Sequence, residues 1–185
     1  MKIIGSILNR VLVPVEFFSK KLIRPKNASF KTLWIIGAPR SGTTLAYQLF
    51  CTAFKSSYLT NRVAHKYRIP IIVRVFEKLF FSKHLTPSSF KSDLGRTFNQ
   101  NDPHEGGQFF YQFFPHEEQY SVEKTIPAKN KSSLIKTINF VTRPNEVFIS
   151  KNTIHSLRIR AISSIFPNSY FVWVRRDLAE TVYSI

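Results

Sequence analysis

Gly37-Ala38-Pro39-Arg40-Ser41-Gly42-Thr43-Thr44 carries the sharpest chemical signal in the chain. Two glycines with four residues between them let the backbone turn tightly, so that successive amide N–H groups converge on one anion at a helix N-terminus. The hydroxyls of Ser41, Thr43 and Thr44 add side-chain donors. A nucleoside-triphosphate loop places lysine after the second glycine, where it reaches the β- and γ-phosphates. Here that position is Thr43, and the cation sits inside the loop as Arg40. The missing lysine argues against ATP or GTP hydrolysis, and the internal arginine argues for a different anion. The plainer reading is a glycine turn ahead of a polar helix cap.

Three further stretches carry ionisable side chains at element ends. Arg175 and Arg176 follow the apolar run 170–174, and Ser184 lies eight positions after Arg176. Lys151 follows the apolar stretch 147–150 and opens Lys151-Asn152-Thr153-Ile154-His155. Asn101-Asp102-Pro103-His104-Glu105-Gly106-Gly107 sets a carboxylate in a turn. Each has a bland counterpart: a solvated strand end, a surface lysine, a turn glutamate.

Pro39-Arg40-Ser41-Gly42-Thr43-Thr44 behind an apolar strand resembles the 5′-phosphosulfate loop of the sulfotransferases that use PAPS (3′-phosphoadenylyl sulfate). It is most similar to the bacterial and protein-tyrosine branches, which carry Arg where cytosolic small-molecule enzymes carry Lys. The resemblance implies that Arg40, Ser41, Gly42, Thr43 and Thr44 hold the donor. Arg40 would also offset charge building on the bridging oxygen, a role suited to its fixed charge and forked donors. Arg176 and Ser184 match the family's 3′-phosphate motif in spacing, with Leu178 where Pro or Gly is usual.

Residues 151–155 are similar to the family's K-x-P-x-H or K-D-P segment ahead of Phe166-Pro167-Asn168, with Thr153 in place of proline. That implies Lys151 helps neutralise the sulfuryl group, while His155 packs or caps. Glu105 is the implied base for the acceptor proton, in a segment similar to P-x-E-x-E-F with Gly107 replacing the second acid. His104 is the fallback, then Glu117 or Glu118. Phe109, Phe110, Tyr111, Phe113 and Phe114 either line an acceptor pocket or form core. No metal is implied, and no metal-ligand spacing is present.

The expected reaction moves a sulfuryl group from PAPS to a hydroxyl of a carbohydrate, lipid or peptide. The family continues with further strands and helices after its 3′-phosphate motif, so the fold is expected to be incomplete at the C-terminus and activity stays open. Two other readings compete: a truncated, non-catalytic anion-binding or membrane-surface protein, and a P-loop nucleotide kinase.

These residues require strands that end at one edge and helices that start there. Residues 33–37 read as a strand and 43–54 as a helix; 68–80 and 132–142 carry helical patterns. A strand over 147–150, a helix over 156–165, a strand over 170–174 and a helix from about 178 complete the pattern. Uninterrupted apolar strands alternating with helices predict a parallel sheet covered on both faces, hence a P-loop-type three-layer α/β fold. Residues 31–185 are expected to form the N-terminal portion of a sulfotransferase-like domain, preceded by a basic amphipathic segment over 1–30.

The 185 residues carry a net charge of +16, from 27 basic and 11 acidic side chains. No acid occurs between Glu16 and Glu77, whereas Lys20, Lys21, Arg24, Lys26, Lys31 and Arg40 are among the cations there. Such a field attracts anions; the acids gather instead at Asp102, Glu105, Glu117, Glu118 and Glu123. The expected partners are PAPS or its product PAP, an acceptor and a weak anionic membrane surface, with no specific nucleic acid. Apolar residues at Ile4, Leu8, Val11, Val15, Phe18 and Leu22 have helical spacing, with Pro14 expected to kink or end a helix. Two readings compete for this segment, a basic amphipathic helix resting on a membrane surface and an ordinary first helix covering the core, and the second is preferred. One cysteine, Cys51, excludes an intrachain disulfide and suits a reducing, cytoplasmic setting.

Overall fold

The computed structural model describes residues 2–23, 30–80, 90–93, 95–114 and 126–183, with 2–10 as backbone alone. Arg24, Lys26, Glu117, Glu118, Glu123 and Ser184 lie outside the described residues. In chain order come α1 (Lys2–Leu22), β1 (Thr32–Gly37), α2 (Thr43–Ala53), β2 (Ser56–Ser57), α3 (Asn61–His65) and α4 (Pro70–Phe80). A hairpin of β3 (Ser92–Asp93) and β4 (Arg96–Thr97) precedes α5 (Gly107–Tyr111), α6 (Ala128–Val141) and β5 (Val147–Lys151). A 3-10 turn (Thr153–Leu157) leads to α7 (Ile159–Ile165), β6 (Ser169–Val174) and α8 (Leu178–Tyr183).

Four strands form the central sheet in the order β2-β5-β1-β6, all parallel. Ile35 pairs with Lys151 and Gly37 with Val174, so β1, β5 and β6 end close together along one edge. The loops leaving these strands therefore emerge on the same side, the edge where open α/β sheets bind ligands.

Side-chain alternation along β1 divides the interior into two cores. Trp34 faces Phe109, Phe110, Phe148, Phe166 and Ile162 in the core that α1, α3, α4, α5, α6 and α7 cover, whereas Ile35 and Ile149 meet Tyr47 and Cys51 on the α2 side. With both faces covered, β1 has no polar alternation, which makes it legible as an apolar run. The rings of Phe110, Phe148 and Phe166 lie 5.9, 6.0 and 5.7 Å from that of Trp34. Four of the five aromatics at 109–114 are thereby assigned to the core: Phe109, Phe110, Phe113 and Phe114 are buried, and Tyr111 is half-buried.

Three expectations are corrected in detail. α1 runs on through Pro14 rather than ending there. Pro14 lies on the exposed side of the helix, where water can reach the carbonyl its ring leaves without an amide partner. The stretch 156–165 is two pieces: Asn152 accepts from Ile154 N at 3.0 Å and closes a 3-10 turn before α7 begins. α1 does cover the larger core, but with Leu12 and Val13; Val11, Val15, Phe18 and Leu22, whose spacing marked the expected covering face, are exposed. Its Glu16 carboxylate accepts from the amides of Ile71 and Ile72 at 3.1 and 3.0 Å, capping the first turn of α4.

Candidate active site

The segments leaving β1, β5 and β6 enclose a cleft of about 440 Å³. Its walls include Arg40, Gly42, Thr43, Thr44, Glu105 and Lys151, with Arg176 at the side.

The loop after β1 is held by its own geometry. An added Cβ at Gly37 would lie 2.6 Å from the Val174 carbonyl oxygen and 2.9 Å from Thr43 Cγ2, so only glycine lets the loop leave the sheet at this point. Gly42 needs its identity for a different reason: its φ is +90°, although a Cβ added there would meet nothing within 4 Å. Arg40 also takes a positive φ, 64°, an uncommon state for a residue with a side chain. Strained backbone of this kind concentrates at ligand sites. Gly42 offers no side chain to cap α2, so the first-turn amides of that helix are left facing the cleft wall formed by Gly42 to Leu45.

Lys151 organises the floor. Its side chain is buried, and Nζ donates to Thr44 Oγ1 at 3.1 Å and to the Glu105 carboxylate. An ammonium has three donors, and these two bonds leave one more for an anion in the cleft. Glu105 is about one-third exposed, so its carboxylate remains reachable from solvent. The two arginine-bearing segments also meet: Arg176 donates through one terminal nitrogen to the Arg40 carbonyl oxygen at 3.4 Å and through Nε to Glu180 at 3.0 Å. Asp177 caps α8 by accepting from Ala179 N and Glu180 N, which fixes the turn that presents Arg176.

Not every expected residue enters the cleft. Ser41 is buried, and its hydroxyl donates to the Ala38 carbonyl at 2.8 Å, so it braces the loop. His104 Nδ1 accepts from Gly106 N at 2.8 Å, which commits that nitrogen to the turn and leaves the proton of the neutral ring on Nε2. Burial first, then the neighbouring His65, hold the His104 pKa below its usual value. His155 is fully buried between Trp34 and Phe110, at 4.9 and 4.6 Å, and burial pushes its pKa far down. It packs, as the sequence indicates.

Sequence reasoning missed Gly95, Ser92 and Asn61. Gly95, at φ +83°, closes the hairpin above the cleft; a Cβ there would lie 3.3 Å from both Glu105 Oε1 and Thr44 Oγ1. The buried Asn61 amide anchors the hairpin by donating to the Thr97 carbonyl, Thr97 Oγ1 and the Asn99 carbonyl at 3.1, 3.0 and 2.7 Å. The glycine after Asp93-Leu94 was the available turn signal.

The arrangement combines a glycine loop, uncapped helix-start amides and three cations beside one accessible carboxylate. Its chemistry suits a polyanion, with a carboxylate placed beside it. The family model described as the sulfotransferase family matches residues 33–185. No curated protein and no solved structure matches the chain.

Proposed function

The chain belongs to the sulfotransferase family, and on that premise we propose that it moves a sulfuryl group from PAPS to a hydroxyl of a carbohydrate, lipid or peptide. The observation that carries this reading is Lys151, bonded at once to Thr44 of the glycine loop and to Glu105. One side chain thus links the anion cradle to the best candidate base.

The residues of the cleft fit the donor. The backbone of 37–44, with Arg40 and Thr44, suits the 5′-phosphosulfate end, and Arg176 suits the 3′-phosphate. Ser184, the other 3′-phosphate candidate, lies outside the described residues. PAPS supplies the sulfuryl group and a phosphate leaving group. Glu105 takes the proton from the acceptor hydroxyl as the acceptor oxygen bonds to sulfur. Lys151 and Arg40 offset the negative charge that collects on the phosphate oxygen released from sulfur. Catalysis here rests on positioning and fixed charge, as in phosphoryl transfer.

Calorimetric titration with PAP, ATP and adenosine 5′-phosphosulfate tests the reading. Binding that prefers PAP, and is lost in Arg40→Ala, is expected. Preference for ATP with magnesium, or no binding of any of the three, overturns it.

A further inference from the structure

Over residues 11–22, the described side chains of α1 form two apolar sides, one of which packs against the protein. Leu12, Val13 and Glu16 face the protein. The opposite side carries Val11, Val15, Phe18 and Leu22, exposed by 61%, 49%, 62% and 84%. Their spacing of four, three and four residues places them in one stripe along the helix. α4, packed against the same core, likewise turns Val75, Phe76, Leu79 and Phe80 outward. Isolated exposed apolar residues are ordinary, but a stripe of this length marks a contact surface.

Charge decides what the surface meets. The acids of the described parts of these two helices are both buried inward: Glu16 caps α4, and Glu77 pairs with Arg74 at 2.9 Å and accepts from Thr60. What remains outward beside the apolar side chains is cationic. Lys21 Nζ lies 4.8 Å from the centroid of Phe17 and 5.9 Å from that of Phe18, and Lys78 is exposed on α4. A second copy of a chain with net charge +16 would bring like charges together on such a face. An anionic bilayer instead accepts the apolar side chains below its headgroups and pairs the lysines at them. No described helix is long and apolar enough to cross a membrane, so the contact lies in the interface plane.

We propose that the outward stripe of α1, with the outer side of α4, docks the protein on an anionic lipid surface. This goes beyond the sulfuryl-transfer reading and does not depend on it.

Co-sedimentation of the full chain with vesicles tests the docking, using phosphatidylcholine alone and an equimolar mixture with phosphatidylserine. Binding to the mixed vesicles is expected, weaker in high salt and on phosphatidylcholine alone. Replacing Phe18 and Leu22 together by Ser leaves the charge unchanged and is expected to weaken binding by about tenfold or more, since two large side chains lose their apolar partner. Trp173→Ser, which alters an exposed residue of β6, is expected to leave binding unchanged. Leu22→Ser alone, at the last residue of α1, gives a second reading if the double variant melts at lower temperature. Absence of binding overturns the proposal. So does binding that survives these α1 substitutions, which is adsorption by charge alone, or self-association in sedimentation velocity that the same substitutions abolish.

Discussion

Lys151, the last residue of β5, is bonded to Glu105, 46 residues earlier in the turn ahead of α5. The sheet fixes one partner and a loop brings the other. The pair sits in the cleft that Arg40 and Arg176 also line.

If Glu105 is the base, its removal costs turnover more than donor affinity. Glu105→Gln is expected to lower kcat by about a hundredfold or more, the usual contribution of a positioned base, while PAP binds nearly as before. Lys151→Ala is expected to weaken both, because Lys151 reaches towards the donor cradle through Thr44. Single-turnover kinetics with calorimetry separates the two. Equal losses in PAP affinity for both variants would remove Glu105 from the role of base.

The two loop glycines predict opposite patterns. Gly42→Ala meets no neighbour, so its cost is the left-handed backbone alone, about 1–2 kcal/mol. Gly37→Ala drives a methyl into the Val174 carbonyl oxygen and must shift β1 against β6, an overpacking cost of about 1–3 kcal/mol or more. Urea unfolding is expected to rank Gly37→Ala as the less stable variant. The reverse order would mean that the loop relaxes around the added methyl.

The legible parts of this protein are those where one local pattern has one outcome. β1 and β6 are apolar and end beside glycine or arginine, so their parallel pairing and common edge follow from the strand–helix alternation. Glu105 is visible as a carboxylate in a turn, yet nothing local announces that it bonds Lys151, a contact made only once β5 and the 99–106 loop are assembled. Ser41 and His104 differ, since their partners lie within three residues in sequence. Their residue types suit catalysis, but nearby backbone groups, Ala38 O and Gly106 N, take up the hydroxyl and the imidazole nitrogen. Asn61 carries no sequence signal at all, because its bonds run to a hairpin some 36 residues away.

Two histidines, His155 buried and His104 half-buried, make stability depend on pH. His104 and His155 both have pKa values lowered by burial, so the unfolded chain binds protons at these sites more readily than the folded one. Their neutral forms therefore support the fold fully above the ordinary histidine value of about 6.5, and that support is lost as pH falls below it towards the folded values. Thermal melts are expected to show a falling Tm through this window, with a shallower slope in His104→Gln. An unchanged slope in that variant would assign the acid sensitivity to His155 or to carboxylates.

The β3–β4 hairpin gives the last prediction. Asn61 holds it from α3, and Gly95 sets its turn against Glu105 and Thr44. Asn61→Ala leaves the two carbonyls it serves without that donor, at a cost of about 1–3 kcal/mol if they stay buried. Its consequence for chemistry is expected on the acceptor side, where a looser hairpin no longer confines Glu105. Gly95→Ala acts at the same place by a different route. It strains a backbone held at φ +83° and brings a methyl to 3.3 Å from Glu105 Oε1 and the Thr44 hydroxyl. Asn61→Ala is expected to raise the acceptor KM and lower kcat while PAP affinity changes little, whereas Gly95→Ala, which also crowds Thr44, is expected to weaken PAP binding as well. If PAP affinity falls in step with turnover in Asn61→Ala, the hairpin supports the loop after β1 rather than confining Glu105.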